Sequence, residues 1–224
     1  MTDLLIHPES SVEPRNFHVA DRPIDFDSWL SLTRDLDTEL IKGVMVDRMA
    51  AQYPHEWIYM WFASILRTYT RNRKLGVVLG SRTAVKIDRN DGRLPDILFV
   101  HNSNIAIIHK DAIYGAPDIV IEIVSPNDTH AHLISLETDY CAIGVPEIAF
   151  IDLQKKHVRL VQKSESGEYA VTMLTSGRLR FRSVPGFWVE VDWIFAEAQP
   201  DEHEVTSRMI QEAEVAETEA VRQN

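Results

Sequence analysis

The sequence predicts an α/β domain, and three observations lead there. Bulky and β-branched residues run in short stretches between Pro, Gly and Asn, as in Leu94-Pro95-Asp96-Ile97-Leu98-Phe99-Val100 and Pro117-Asp118-Ile119-Val120-Ile121-Glu122-Ile123-Val124-Ser125, and such stretches form strands. Ile58, Phe62, Ile65, Leu66 and Tyr69 recur at the spacing of one helix face over His55 to Arg73. Strand, helix and strand then follow one another from Ile119 to Ile151, an order whose default is a right-handed crossover to a parallel neighbour.

Taken in order, residues 1–24 hold Pro8, Pro14 and Pro23 without a hydrophobic period and are expected to form an extended arm. The folded domain is expected over 25–198. It opens with a short helix after Asp25 that carries Trp29, Leu30 and Leu32. Glu39 to Val46 reads as a β-hairpin, because Lys42-Gly43 supplies the positive φ of a tight turn. The long helix follows Pro54. Gly76–Leu79 and Thr83–Ile87 read as strands, and Asn90-Asp91-Gly92 as a turn before the Asp96 strand. Asn102 to Tyr114 is a connection. After Glu122, Ser125-Pro126-Asn127-Asp128 turns into a helix through Leu133, Leu136 and Tyr140 that Gly144 ends. Glu147–Asp152 and Val158–Val161 are strands, and Tyr169–Leu174 with Arg178–Phe181 reads as a hairpin about Ser176-Gly177. Residues 199–224 are acidic and form a solvated helix or a frayed arm, with Val205, Met209, Ala213 and Ala216 as a thin apolar stripe.

Composition sets the outer bounds. The 224 residues suit one domain with arms, and 45% hydrophobic content is that of soluble globular proteins. No apolar run approaches the length of a membrane span, and Met1-Thr2-Asp3 does not begin a signal peptide, so a cytoplasmic protein is expected. Cys141 is the single cysteine, which excludes an internal disulfide and a Cys-rich zinc centre. A net charge of −11 argues against a broad basic surface for nucleic acid, although not against a local one.

Two acids stand out. Glu122 interrupts Ile-Val-Ile-Glu-Ile-Val, and Asp96 opens the other apolar strand; a buried carboxylate is costly unless a cation or several donors meet it. On one reading Glu122 lies on the exposed face of a half-buried strand and Asp96 caps a strand start. On the other the two converge and hold a hard divalent cation, which prefers carboxylate oxygens. Asp118 falls on the same strand face as Glu122 but about 13 Å away, so it reads as a strand-start residue. His55 either reaches the site from the helix start or serves in capping or packing.

Several of these pieces, in this order and spacing, resemble a restriction-endonuclease-like family of bacterial proteins within the PD-(D/E)XK nuclease superfamily. They are Glu39-Leu40-Ile41 with Gly43, Pro54-His55, Leu94-Pro95-Asp96-Ile97, the stretch from Pro117 to Pro126, Tyr140 with Gly144-Val145-Pro146-Glu147, and Pro185-Gly186-Phe187. The resemblance covers roughly 25–196. It implies a restriction-endonuclease-like core, a mixed central sheet flanked by helices. It also implies a metal-dependent endonuclease acting on nucleic acid, DNA above all, with Glu39, Asp96 and Glu122 as catalytic ligands of Mg²⁺ or Mn²⁺. A homodimer suits both the resemblance and duplex cleavage.

One departure bears on catalysis. The superfamily's lysine position two residues after the strand Glu is Val124, and the register to which this family moves it falls on Leu136; no lysine occurs between Lys110 and Lys155. Either another base substitutes, with His132 and His130 as local candidates, or the fold persists in a non-catalytic binding or assembly protein.

Overall fold

The computed structural model describes residues 17–18, 22–32, 37–48, 50–80 and 82–223. The first elements are β1 (Phe17–His18), α1 (Phe26–Leu32), β2 (Thr38–Ile41), β3 (Val44–Asp47) and α2 (Tyr53–Asn72). Next come β4 (Gly76–Gly80), β5 (Val85–Lys86), β6 (Gly92–Arg93), β7 (Ile97–His101) and a 3-10 turn over Asn102–Ile107. The second half holds β8 (Ile119–Val124), α3 (His130–Ile143), β9 (Glu147–Asp152), β10 (His157–Lys163) and β11 (Tyr169–Leu174). It closes with β12 (Arg178–Arg180), β13 (Trp188–Glu190), α4 (Val191–Ile194) and α5 (Glu202–Gln223). The arm expected over 1–24 lies largely outside the described residues.

The main sheet is six-stranded and mixed, in the order β11-β10-β9-β8-β7-β4. β8 and β9 are parallel, with Val124 opposite Asp152, as the helix between them requires; the other pairs are antiparallel. A second sheet, β1-β3-β2-β6-β5, contains the hairpin whose turn takes Lys42 to φ 50° and Gly43 to φ 77°.

Helices cover both faces of the main sheet. Ile58, Phe62, Ile65, Leu66 and Tyr69 of α2 pack with Ile119, Ile121, Ile123 and Ile151, and each such side chain contributes about 1.5–3 kcal/mol on burial. On the other face Leu136 and Tyr140 of α3 pack with Val120, Val124 and Ile148. Strand alternation thus sends Glu122 to the α3 face. All six residues of β8 are buried, as in a parallel strand covered on both sides, and Glu122 is only 7% exposed. The reading of Glu122 on a solvated face is therefore corrected.

Two further expectations need revision. β11 does not pair with β12. It lies along β10 over six residue pairs, while β12 pairs with β13 and ties it through Arg178 to Glu190 at 2.8 Å. Ser176-Gly177 is a joint between two sheets, because the long β10 edge offers more pairing than three-residue β12 does. The acidic C-terminal segment is the helix α5, and Val205 and Met209 are buried in the main core. Arg73 of α2 pairs with Glu217 of α5.

Candidate active site

Four segments far apart in sequence meet at the C-terminal end of β8. Glu39 from β2, Asp96 just before β7, Glu122 from β8 and His132 from the first turn of α3 all line one cleft of about 100 Å³, with Arg48, His55 and Leu136 beside them. Antiparallel pairing of Ile97 with Ile121 brings the two central acids together. The Asp96 N–H donates to Glu122 Oε2 at 3.3 Å, and the Ile123 N–H donates to Asp96 Oδ2 at 2.8 Å.

Each acid also has a partner of its own. Arg48 donates to Asp96 Oδ1 at 3.0 Å, and His55 Nε2 lies 3.1 Å from Asp96 Oδ2. Arg93, fully buried, donates to Glu39 Oε2 at 2.9 Å while also bonding Asp139 and Ser135 of α3. Tyr140 donates to Glu122 Oε1 at 2.5 Å. Arg93 is thus a brace that fixes Glu39 against α3.

The charges sort the carboxyls. Burial raises Asp96, yet the His55 hydrogen bond and charge, with Arg48, outweigh it and hold Asp96 below the usual carboxylate range. Burial likewise raises Glu39, and Arg93 with Arg48 outweighs it, so Glu39 is held low. Glu122 goes the other way: burial and then the Asp96 charge push it well above the ordinary glutamate value. His55 is raised, since Asp96 and Glu56 overcome the opposing effect of burial. The result is two acids eased toward ionisation beside one that is held back from it.

Among the described residues, no three His, Cys, Asp or Glu side chains have the spacing to hold an ion as they stand. The donor set nevertheless fits a hard divalent cation. Buried carboxylate oxygens line the cleft, and the repulsion from Asp96 that adds to burial in raising Glu122 is of the kind a dication relieves.

Of the two histidines near α3, His132 faces the cleft, with Nε2 3.7 Å from Asp128 Oδ1. His130 lines a separate cavity with Ile134 and Cys141. Both positions of the lysine, Val124 and Leu136, line the cleft as apolar side chains. Asp118 accepts from the His101 N–H at 2.7 Å and so has a structural partner. Sequence reasoning missed Arg48, Arg93 and the task of Tyr140. Only Tyr140 carried a signal, as part of the family motif; pairing of either arginine depends on the tertiary fold.

A mixed sheet between helices, with an acidic cleft at the strand ends, defines a restriction-endonuclease-like nuclease fold. The chain belongs to the Uma2 family, described as "Putative restriction endonuclease", whose model matches residues 24–192. It is similar to a crystal structure of "a putative nuclease belonging to DUF820" from Anabaena variabilis ATCC 29413, with a TM-score of 0.65 at 18% identity. That match covers 77% of this chain and 98% of the other, and is a likeness of fold. No curated protein matches the chain.

Proposed function

We propose that this protein hydrolyses phosphodiester bonds of nucleic acid, with Glu39, Asp96 and Glu122 holding Mg²⁺ or Mn²⁺. The observation that supports this reading is the meeting of Glu39, Asp96, Glu122 and His132 in one cleft. When bound, the cation would polarise the scissile phosphate, acidify a water and neutralise the leaving oxygen. Arg93 and His55 hold Glu39 and Asp96 in register. His132 on the cleft wall, with Nε2 3.7 Å from Asp128 Oδ1, stands in for the lysine as base.

The apolar Val124 and Leu136 favour a second reading, a binding or assembly protein on the same fold. Cleavage assays with Mg²⁺ or Mn²⁺ separate the two. Hydrolysis should vanish in Glu122→Ala and fall in His132→Ala. Hydrolysis indifferent to Glu122→Ala would remove the site, and no calorimetric uptake of Mn²⁺ by the wild type would favour the second reading.

A further inference from the structure

The first turn of α2 has two faces. Gln52 and His55 line the acidic cleft, whereas Tyr53, Pro54 and Trp57 line a neighbouring groove of about 330 Å³ with Leu153, Lys156 and Glu197. Tyr53 is 73% exposed and Trp57 46%. Their rings stack, with centroids 5.9 Å apart and planes 26° from parallel. Neither belongs to the buried face of the helix. The groove and the cleft adjoin at the ends of parallel strands. Ser125 lines the cleft and Leu153 the groove, each one residue past the paired Val124 and Asp152, and paired strands lie about 5 Å apart.

Two exposed rings in a near-parallel stack suit a flat, aromatic ligand. Glu197 in the groove and the net charge of −11 make capture by charge alone weak, so ring contact must supply most of the attraction. Bases in a duplex keep their faces stacked on one another; an unpaired base offers one.

We infer that Tyr53 and Trp57 are a stacking platform for an unpaired nucleobase of the strand whose phosphodiester enters the cleft, with Lys156 facing the adjoining phosphate. The substrate is then single-stranded or locally unpaired nucleic acid. This rests on the phosphodiesterase reading for the identity of the ligand.

Fluorescence anisotropy of a labelled deoxyoligonucleotide, with chelator present, tests it. The single strand should bind more tightly than the blunt duplex and than an abasic strand of equal length. Trp57→Ala should weaken binding about tenfold, the scale of one lost base–ring stack, and Trp57→Phe should restore most of it. Trp57 is also the one exposed tryptophan of five, so its emission should be quenched by the strand. Equal affinity for the abasic strand, unchanged affinity in Trp57→Ala, or no binding of any strand would overturn the inference. So would a Trp57→Ala variant that loses self-association while keeping strand affinity, since the patch would then be a protein contact. With no cation or cleavage involved, this result is independent of the Glu122→Ala assay.

Discussion

Tyr140 donates its phenolic hydrogen to Glu122 across 2.5 Å, and both side chains are buried. Burial and the Glu122 charge push the phenol well above its ordinary value, so it remains a donor. The same hydrogen bond is the leading influence that eases ionisation of Glu122 against burial and Asp96. A tyrosine on α3 thereby sets how readily the acid on β8 gives up its proton.

Tyr140→Phe keeps the ring and removes that donor. Glu122 should then be harder to ionise, and Mn²⁺ affinity should fall several-fold at neutral pH while more protons are released per ion bound. Calorimetry in two buffers of different ionisation enthalpy reads both. The buried acceptor left behind should cost about 1–3 kcal/mol of stability, measured by urea unfolding.

Glu122 gives a signed pH dependence. Its pKa is raised in the folded chain, so the native state holds a proton that the unfolded state has released above the ordinary glutamate value. That contribution is full below the ordinary value and is lost as pH rises toward and through the raised one. Glu122→Gln cannot ionise, so its stability gain over wild type should be small near pH 4 and grow as pH rises to neutrality. A gain that shrinks as pH rises would contradict the assignment.

Arg93 is the brace of Glu39 and is closed off from solvent. Arg93→Met strands Glu39 without its cation and should cost about 3–5 kcal/mol. Adding Glu39→Gln should recover part of that loss. Denaturant midpoints of the single and double variants measure the coupling, and purely additive losses would deny it.

Leu136 occupies the register where the resemblance expects an amine, and its side chain lines the cleft. Leu136→Lys should raise the rate of phosphodiester hydrolysis at least tenfold, by adding a charge toward the developing phosphorane. Single-turnover cleavage in Mg²⁺ checks this. A lower melting temperature should accompany it, since a buried leucine is replaced.

The sequence carried the elements whose signals are local. The helix spacing from Ile58 to Tyr69, the Lys42-Gly43 turn and the αL cap at Gly144, φ 89°, are set within a few residues. Glu122 was visible because a charge inside Ile-Val-Ile-Glu-Ile-Val conflicts with burial, and Asp96 because the same conflict recurs in a Pro-Asp setting. Arg48 and Arg93 carried no such conflict: an arginine near a turn reads as surface until the fold shows which acid it meets. The sequence also hid the partner of β11, since strand propensity says nothing about which of two free edges wins. Likewise the stripe of Val205 and Met209 looked too thin to anchor a helix. It becomes sufficient only because α2 presents a complementary apolar face.

Arg48, Arg93, His55 and Tyr140 already satisfy the acids of the cleft, and this has an operational meaning. The cavity walls stand on contacts internal to the polypeptide, so chelation should silence chemistry while circular dichroism and melting stay close to unchanged. On the proposed reading, an arriving ion would compete with a guanidinium and with the proton on Glu122 instead of ordering a loose loop, and uptake should be reversible and more favourable in alkaline buffer.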